Sequence, residues 1–354
     1  MKIFKTIILP AIIVVIIAGC GGVETDPLVR EEMLEVPDEA AQAFSQARDR
    51  EEEGDFDRAL ELYEDLADDY SDSSLAPEAL FRIGRILEEQ GNYSGAIGWY
   101  DDLIDDYPNS DQAPDGLFRM GVCLEEEDDL LDAFDVYQDL LEEYPGKGSL
   151  EEILQREFEI GEAFMNGRKK LFLFLRIRSG LGTAEDIFRA IVEKATFSKV
   201  SYRAQYGLGR VLQEQEEYED AISEYKLVLS TYPGAPVLPQ ALFNLGICYY
   251  EIALDSDYDQ REDDRALRHL NKYVQRFPDG PHIAEAREKI IEITDQKAEK
   301  AYNTAKFYDT GRLTPGAKIY YQEVIDRYPE SRYADKARAR LEAPGGEVKV
   351  IGNQ

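Results

Sequence analysis

From residue 39 to residue 341 the chain repeats a two-part pattern of apolar, small and polar positions. The second part is the plainer one. Ala59, Ala96, Ala133, Ala221, Ala266 and Ala317 each stand eleven residues before an aromatic: Tyr70, Tyr107, Tyr144, Tyr232, Phe277 and Tyr328. A looser copy runs from Ala184 to Phe197, thirteen residues on. Tyr63, Tyr100, Tyr137, Phe188, Tyr225 and Tyr321 add an aromatic four residues after the alanine. The i, i+4, i+7, i+11 spacing of Ala96, Tyr100, Leu103 and Tyr107 predicts one buried helix face. The first part has its own stripe: Leu80, Ile83, Gly84 and Leu87, then Leu117, Met120, Gly121 and Leu124, then Leu242, Leu245, Gly246 and Tyr249. Twelve residues separate Gly84 from Ala96, Gly121 from Ala133 and Gly209 from Ala221. A glycine and an alanine at fixed register predict two antiparallel helices that cross closely. Gly91-Asn92-Tyr93 supplies a turn between them. Proline after the closing aromatic ends the second helix, because it can neither donate nor continue the hydrogen-bond ladder.

The pattern predicts helix pairs over 39–70, 75–108, 112–145, 150–198, 201–233, 238–278 and 283–329, with a half helix, 331–341, covering the last. Insertions lengthen Gly161 to Ala184 to 23 residues and Gly246 to Ala266 to twenty. Leu-Gly in the first helix, then Ala, Tyr and Pro in the second, resembles the tetratricopeptide repeat. The fold class is therefore all-α, a tetratricopeptide-type helical-hairpin solenoid of about seven helix pairs, each burying its apolar face against its neighbours. In such arrays the first helices line the concave side. Phe81, Phe118, Tyr206 and Phe243 each fall three residues before the repeat glycine and form a candidate partner-binding groove. The same four positions also suit core packing.

The start of the chain follows different rules. Lys2 and Lys5 precede an apolar run from Ile7 to Ile17, too short for a stable membrane span but suited to export, and Ala18-Gly19-Cys20 follows. Small residues before a cysteine resemble the lipobox of bacterial lipoproteins, in which the thiol is acylated and becomes the new first residue. Residues 1–19 are then a signal peptide, Cys20 is the lipidation site, and 20–38 is a polar tether. Gly21 stands where an aspartate would resemble an inner-membrane retention mark, so the resemblance implies the outer membrane. Residues 342–354, with Ala343-Pro344-Gly345-Gly346, are expected to fray.

Charge divides the repeats. Residues 21–160 hold 9 Lys/Arg against 42 Asp/Glu, whereas 161–354 hold 29 against 30. With a formal net charge of -32, the chain repels nucleic acid phosphates, and no dense basic face offsets that. The acidic half reads either as solvated helix surface or as a docking surface for basic partners. Against this background Arg168-Lys169-Lys170-Leu171-Phe172-Leu173-Phe174-Leu175-Arg176-Ile177-Arg178 stands out. Its basic residues, Arg168, Lys169, Lys170, Arg176 and Arg178, make a candidate membrane or partner patch, and its apolar ones are equally suited to closing a gap between repeats.

Catalytic signals are absent from the sequence. The chain has two histidines, His269 and His282, and no Cys/His cluster, nucleophile elbow or phosphate loop. Asp255 to Asp259 lacks the glycine and glutamate of a calcium loop. Cys123 and Cys248 occupy one repeat position in different pairs and read as buried free thiols. No cofactor, no catalytic residue and no metal site is expected.

The second half carries a more specific likeness. Ala241-Leu242-Phe243-Asn244-Leu245-Gly246, an Asp/Arg-rich insertion from Asp255 to Asp264, Ala266-Leu267-Arg268-His269-Leu270, Arg276 to Pro281, Ala305-Lys306-Phe307-Tyr308 and Ala317 to Pro329 together resemble the BamD/YfiO family, the lipoprotein subunit of the outer-membrane β-barrel assembly machine. The likeness divides the chain into an acidic N-terminal array, 39–198, and a C-terminal array, 199–341, most like that family. It implies an outer-membrane, lipid-anchored, periplasm-facing scaffold. The implied partners are the barrel-inserting subunit, other assembly lipoproteins and unfolded outer-membrane clients. Three alternatives remain: a cell-envelope or division scaffold, a pilus-assembly lipoprotein, and a carbohydrate-binding surface lipoprotein.

Overall fold

A computed structural model describes residues 38–167, 180–196, 198–255, 260–309 and 313–343. Among the described residues it holds fifteen α-helices and no strand. They pair as the spacing predicts. The pairs are α1 (Asp38–Glu53) with α2 (Phe56–Asp69), α3 (Ala76–Glu89) with α4 (Tyr93–Asp106), and α5 (Ala113–Glu126) with α6 (Leu130–Glu143). Then come α7 (Leu150–Met165) with α8 (Gly180–Lys194), and α9 (Ser201–Glu214) with α10 (Tyr218–Thr231). Last are α11 (Leu238–Asp255) with α12 (Gln260–Arg276), α13 (Ile283–Tyr308) with α14 (Pro315–Arg327), and the cover α15 (Arg332–Glu342). The chain divides into two compact units between Arg82 and Ile83.

Unit one, through Arg82, contains α1, α2 and the opening of α3. Ala59, Tyr63 and Leu66 of α2 are buried in it, and the Phe44 ring lies 5.6 Å from that of Tyr63. In unit two, from Ile83, successive helices pack in chain order around a core that runs from Leu117 to Ile293. A smaller core joins α13, α14 and α15 through Ala298, Ala305, Ala317, Tyr321, Val324, Tyr333 and Ala337.

The glycines explain the close crossings in a way that differs from the expected glycine-on-alanine contact. A Cβ on Gly84 would lie 2.4 Å from the Tyr100 ring, and one on Gly121 2.4 Å from the Tyr137 ring. Gly161 faces Phe188 at 2.6 Å and Gly209 faces Tyr225 at 2.7 Å in the same manner. The missing side chain therefore makes room for the aromatic four residues after the alanine, and those four rings are fully buried. The first-helix stripe is also rotated from the expected one. Ile86 and Cys123 are buried while Leu87 and Met120 are only half-buried, because a first helix such as α5 meets its partner α6 on one side and the preceding α4 on the other.

The closing aromatics reach backward along unit two. Tyr144 donates its hydroxyl to the carbonyl of Pro108 at 2.6 Å, and Tyr232 donates to that of Thr196 at 2.8 Å. Hairpin turns need one left-handed residue. Gly54 and Gly91 supply it in the first two pairs, and Asp128 and Glu216 hold the same place at φ 66 and 64.

Candidate binding surface on the first helices

A polar device absent from the repeat's apolar logic recurs on the first helices. In unit one the Tyr63 hydroxyl donates to Glu51 at 2.7 Å, and Arg82 donates to the same carboxylate at 3.3 Å. In unit two Tyr100 and Arg119 both donate to Glu88, at 3.1 and 2.8 Å. Tyr137 and Arg156 both donate to Glu125. Near the C-terminus Tyr321 and Arg340 share Asp309, with the guanidinium bonded to both carboxylate oxygens at 2.6 and 2.9 Å. The register is constant: the acid, a tyrosine twelve residues on, and an arginine thirty-one residues on. Each clasp ties a first helix to its own second helix and to the first helix that follows. Burial is the main reason that the hydroxyls of Tyr63, Tyr100 and Tyr137 are held protonated well above the ordinary range, and the adjoining carboxylates add to it. Tyr321 is likewise pushed up, to about 12, chiefly by burial and then by Asp309.

Pair five keeps the register and drops the charge. Tyr225 donates to Gln213 at 2.8 Å and accepts from Asn244 at 3.2 Å, and Asn244 also donates to the Tyr206 hydroxyl at 3.2 Å. Gln213 and Asn244 stand twelve residues before and nineteen after Tyr225, where the other clasps have an acid and an arginine.

The proposed groove aromatics sit beside these clasps. Phe81 is half-buried. Phe118 and Tyr206 are half-buried, with ring centroids 6.1 Å from Tyr137 and 5.9 Å from Tyr225. Phe243 is buried, tilted on Tyr273 at 5.5 Å and stacked under His282 at 4.5 Å. Each of these three rings leans on a second-helix aromatic of its own pair and not on the others. Cations partly cover this face: the Arg156 guanidinium lies 5.4 Å over Phe118, and that of Arg203 4.1 Å over Phe158.

The expected lipidation residue Cys20, the expected signal 1–19 and nearly all of the expected tether lie outside the described residues. So do Arg168, Lys169, Lys170, Arg176 and Arg178, the closing Phe197, most of 255–259, and the tail beyond Ala343. Cys123 and Cys248 are buried free thiols, and burial pushes each up to about 12. His282 precedes α13 and donates its backbone N–H to the Tyr273 hydroxyl. His269 stacks on Tyr249 at 5.3 Å, and burial holds it down at about 4. No helix among the described residues is long and apolar enough to cross a membrane.

Two features had no sequence motif to announce them. Glu157 of α7 is fully buried, accepts from Gln138 Nε2 at 2.6 Å on one oxygen and has no partner on the other. Burial pushes it up to about 7, against the opposing pull of the Gln138 bond and Lys194. At the far end Phe307 is 79% and Ile319 68% exposed, and Tyr308 stacks on Tyr320 at 4.8 Å, leaving an apolar patch on α13 and α14.

Comparison with known proteins places this geometry. Tetratricopeptide repeats match over 44–111, 115–147 and 301–331. Residues 177–314 match the YfiO family, described as an outer membrane lipoprotein. Over that stretch the chain is BamD-like. It is 30% identical over 164 residues to an outer membrane protein assembly factor BamD of Caulobacter vibrioides, covering 46% of this chain and 54% of that protein. A BamD of Neisseria meningitidis is 20% identical over 169 residues, 45% of this chain and 63% of that one. The chain thus spans between half and two thirds of the curated relatives it matches. Among solved structures, the C-terminal part of a TPR repeat-containing protein from Cytophaga hutchinsonii aligns over 85% of this chain and all of that one, with 16% identity and a TM-score of 0.37. That value is too low to add to what the helices themselves show.

Proposed function

We propose that the chain is a non-enzymatic scaffold of the outer-membrane β-barrel assembly machinery, lipid-anchored through Cys20 and facing the periplasm. The observation that carries this reading is the BamD-like stretch 177–314, which spans the second helix of pair four, pairs five and six, and the long α13. On it the barrel-inserting subunit docks at pairs six and seven, where Phe307, Tyr308, Ile319 and Tyr320 offer the apolar area that a lasting contact needs. The acidic pairs one to three attract basic or transient clients, unfolded outer-membrane proteins among them, through fields that salt screens over about 8 Å. The basic residues between Arg168 and Arg178 contact lipid headgroups or an acidic patch of another assembly lipoprotein.

The test is retrieval from detergent-solubilised envelopes with the full chain as bait. The barrel-inserting subunit is expected at low and at high salt, and the paired substitutions Phe307→Asp and Ile319→Asp are expected to release it. Cys20→Ser is expected to free the chain from washed membranes with its helical content unchanged. Retention of the subunit by the doubly substituted bait removes the docking assignment, and its absence from the unsubstituted bait removes the assembly role.

A further inference from the structure

Arginines elsewhere in this acidic chain pair with a carboxylate one turn away on their own helix: Arg85 with Glu89, Arg189 with Glu185 and Arg327 with Glu323. Three cations of pairs five and six do not. Lys226 of α10 has Ile222, Ser223, Leu229 and Ser230 at the three- and four-residue steps, none of them acidic. Lys272 of α12 has Arg268, His269, Gln275 and Arg276. Arg268 has Asp264 four residues before it, but Asp264 is bonded at 2.8 Å to the buried Lys297 of α13. Lys226, Arg268 and Lys272 are exposed, and among the described residues none of them has an ion-pair partner.

The three converge on one place. Arg265, Arg268 and Lys272 stand at i, i+3 and i+7 on α12 and share a face of it. His269 of the same helix stacks on Tyr249 of α11 at 5.3 Å, and Lys226 and Arg265 lie over that ring at 5.4 and 5.8 Å. The His269 Nδ1 is buried without a hydrogen-bond partner. Burial, then Lys272, Arg268 and Lys226, keep the imidazole neutral, so the positive field there is not cancelled by the chain's own acids. Beside the Tyr249 ring lies a cavity of about 300 Å³, with Lys226 on the α10 side, Arg265 on the α12 side and Ile222 and Ile252 as apolar wall. Two acids line it as well. Glu262 is taken by Arg265 through both carboxylate oxygens, at 2.8 and 3.1 Å. Glu219 stands seven residues before Lys226, about 10 Å along the helix axis, and leaves the lysine free.

A guest for this place is anionic, because three cations stand uncompensated, and partly apolar, because isoleucine and tyrosine carbon form the wall. Leu227, beside Lys226 on α10, is 46% exposed and offers further apolar surface. Cations on two helices suit an anion whose oxygens diverge, as those of a tetrahedral phosphate do and those of a planar carboxylate do not. We propose that Lys226, Arg268 and Lys272, around the Tyr249 cavity, bind the phosphate of a glycerophospholipid headgroup, with its glycerol and first acyl carbons against Ile222, Ile252 and Leu227. The site lies inside 177–314, the stretch that matches an outer membrane lipoprotein family. The idea rests on the reading of the chain as a membrane-tethered scaffold. It adds a second, non-covalent hold on the lipid surface, made by the folded repeats and not by the anchor. One headgroup adds little affinity by itself, but joined to an acyl anchor it fixes which side of pairs five and six is turned to the membrane.

The test follows the ring resonances of His269 by nuclear magnetic resonance at neutral pH, in the full chain carrying Cys20→Ser. The chain has two histidines, so His282→Gln assigns the signal, and His282 otherwise serves as the internal reference. The probes are dihexanoylphosphatidylglycerol below its micelle concentration, sn-glycerol 3-phosphate, and sodium chloride at matched ionic strength. A saturable shift of His269 is expected with the lipid, a weaker-binding one with sn-glycerol 3-phosphate, and none with chloride. Lys226→Gln and Arg268→Gln should each weaken lipid binding about tenfold, as expected for one charge-assisted hydrogen bond. Arg327→Gln combined with Lys318→Gln removes more charge elsewhere on the surface and should leave the affinity unchanged. Equal affinity for the lipid and for sn-glycerol 3-phosphate overturns the lipid assignment and confines the site to soluble phosphate esters. No saturable shift with either probe, a shift that chloride reproduces, or equal weakening by the control pair overturns the site itself. The readout is one side chain, so its failure and the failure of the envelope retrieval are told apart.

Discussion

The clasps of pairs two and three and the clasp of pair five solve one geometric problem with different chemistry. In both, a glycine on the first helix admits a buried tyrosine whose hydroxyl must find a partner. Around Tyr100 and Tyr137 the partner is a carboxylate, which then needs a cation, and Arg119 or Arg156 from the next first helix supplies it. Around Tyr225 two amides do the whole task. Geometry is therefore the fixed element and charge the variable one. The charged version recruits a side chain from the following repeat and leaves no unmatched arginine within the clasp. The neutral version needs no arginine at all.

The comparison can be broken at its common element first. Gly121→Val and Gly209→Val place methyl groups inside the rings of Tyr137 and Tyr225, and each is expected to cost about 3 kcal/mol in urea unfolding. If only one of the two destabilises the chain, the clasps do not share a geometry. A carboxylate with no clasp at all gives the next largest effect. Glu157 has no arginine, and burial raises it to about 7 from the ordinary 4.5. The unfolded chain thus ionises at lower pH than the folded one. No penalty is present below the unfolded value, and it grows as pH rises through the folded value. Stability should fall by about 2–3 kcal/mol from pH 4.5 to pH 8 on account of this group, and Glu157→Gln should remove that slope, as read from thermal melts at several pH values. The smallest effect sharpens the contrast itself. Arg156→Met strands Glu125 in a half-open setting and should cost about 1 kcal/mol at low salt, less as salt is added. Asn244→Ala should also cost about 1 kcal/mol, with no dependence on salt. Equal salt responses in the two variants would erase the distinction drawn between them.

Much of this fold is legible in the sequence because helix pairing follows from periodic apolar and small residues. The eleven-residue step from Ala96 to Tyr107, and its copies, places six of the seven second helices, and the looser thirteen-residue copy from Ala184 places α8. Asn92, Asp129 and Glu217, one before each second helix, mark its start in the structure. The clasps are equally periodic, but their periods of twelve and thirty-one residues cross helices, and the acid is drawn from a chain with 72 Asp and Glu. Glu125 does not differ in sequence from Glu126 or Glu127. Only the fold turns the first inward and leaves the others exposed. Glu157 escapes notice for the same reason. The groove aromatics show the converse limit. Spacing puts Phe118, Tyr206 and Phe243 on one helix position, yet the buried rings of Tyr137, Tyr225 and Tyr273, together with His282, decide how much of each is left uncovered.

The separations within a clasp also bear on how quickly the chain finds its structure. Twelve residues join acid to tyrosine, nineteen join tyrosine to arginine, and thirty-one join acid to arginine, whatever the total length of the chain. No such step requires closing a loop longer than one hairpin and part of the next. The entropic barrier to loop closure rises only slowly with length, and topologies dominated by nearby contacts fold fast for their size. Folding can thus begin within any hairpin and advance one pair at a time, each new first helix being captured by a hydroxyl and an acid already in place. In the charged pairs that capture waits for an arginine that is still to come, so a hairpin formed early holds its carboxylate unmatched until the next helix arrives. Pair five waits only for an amide, so it holds no carboxylate unmatched in the meantime.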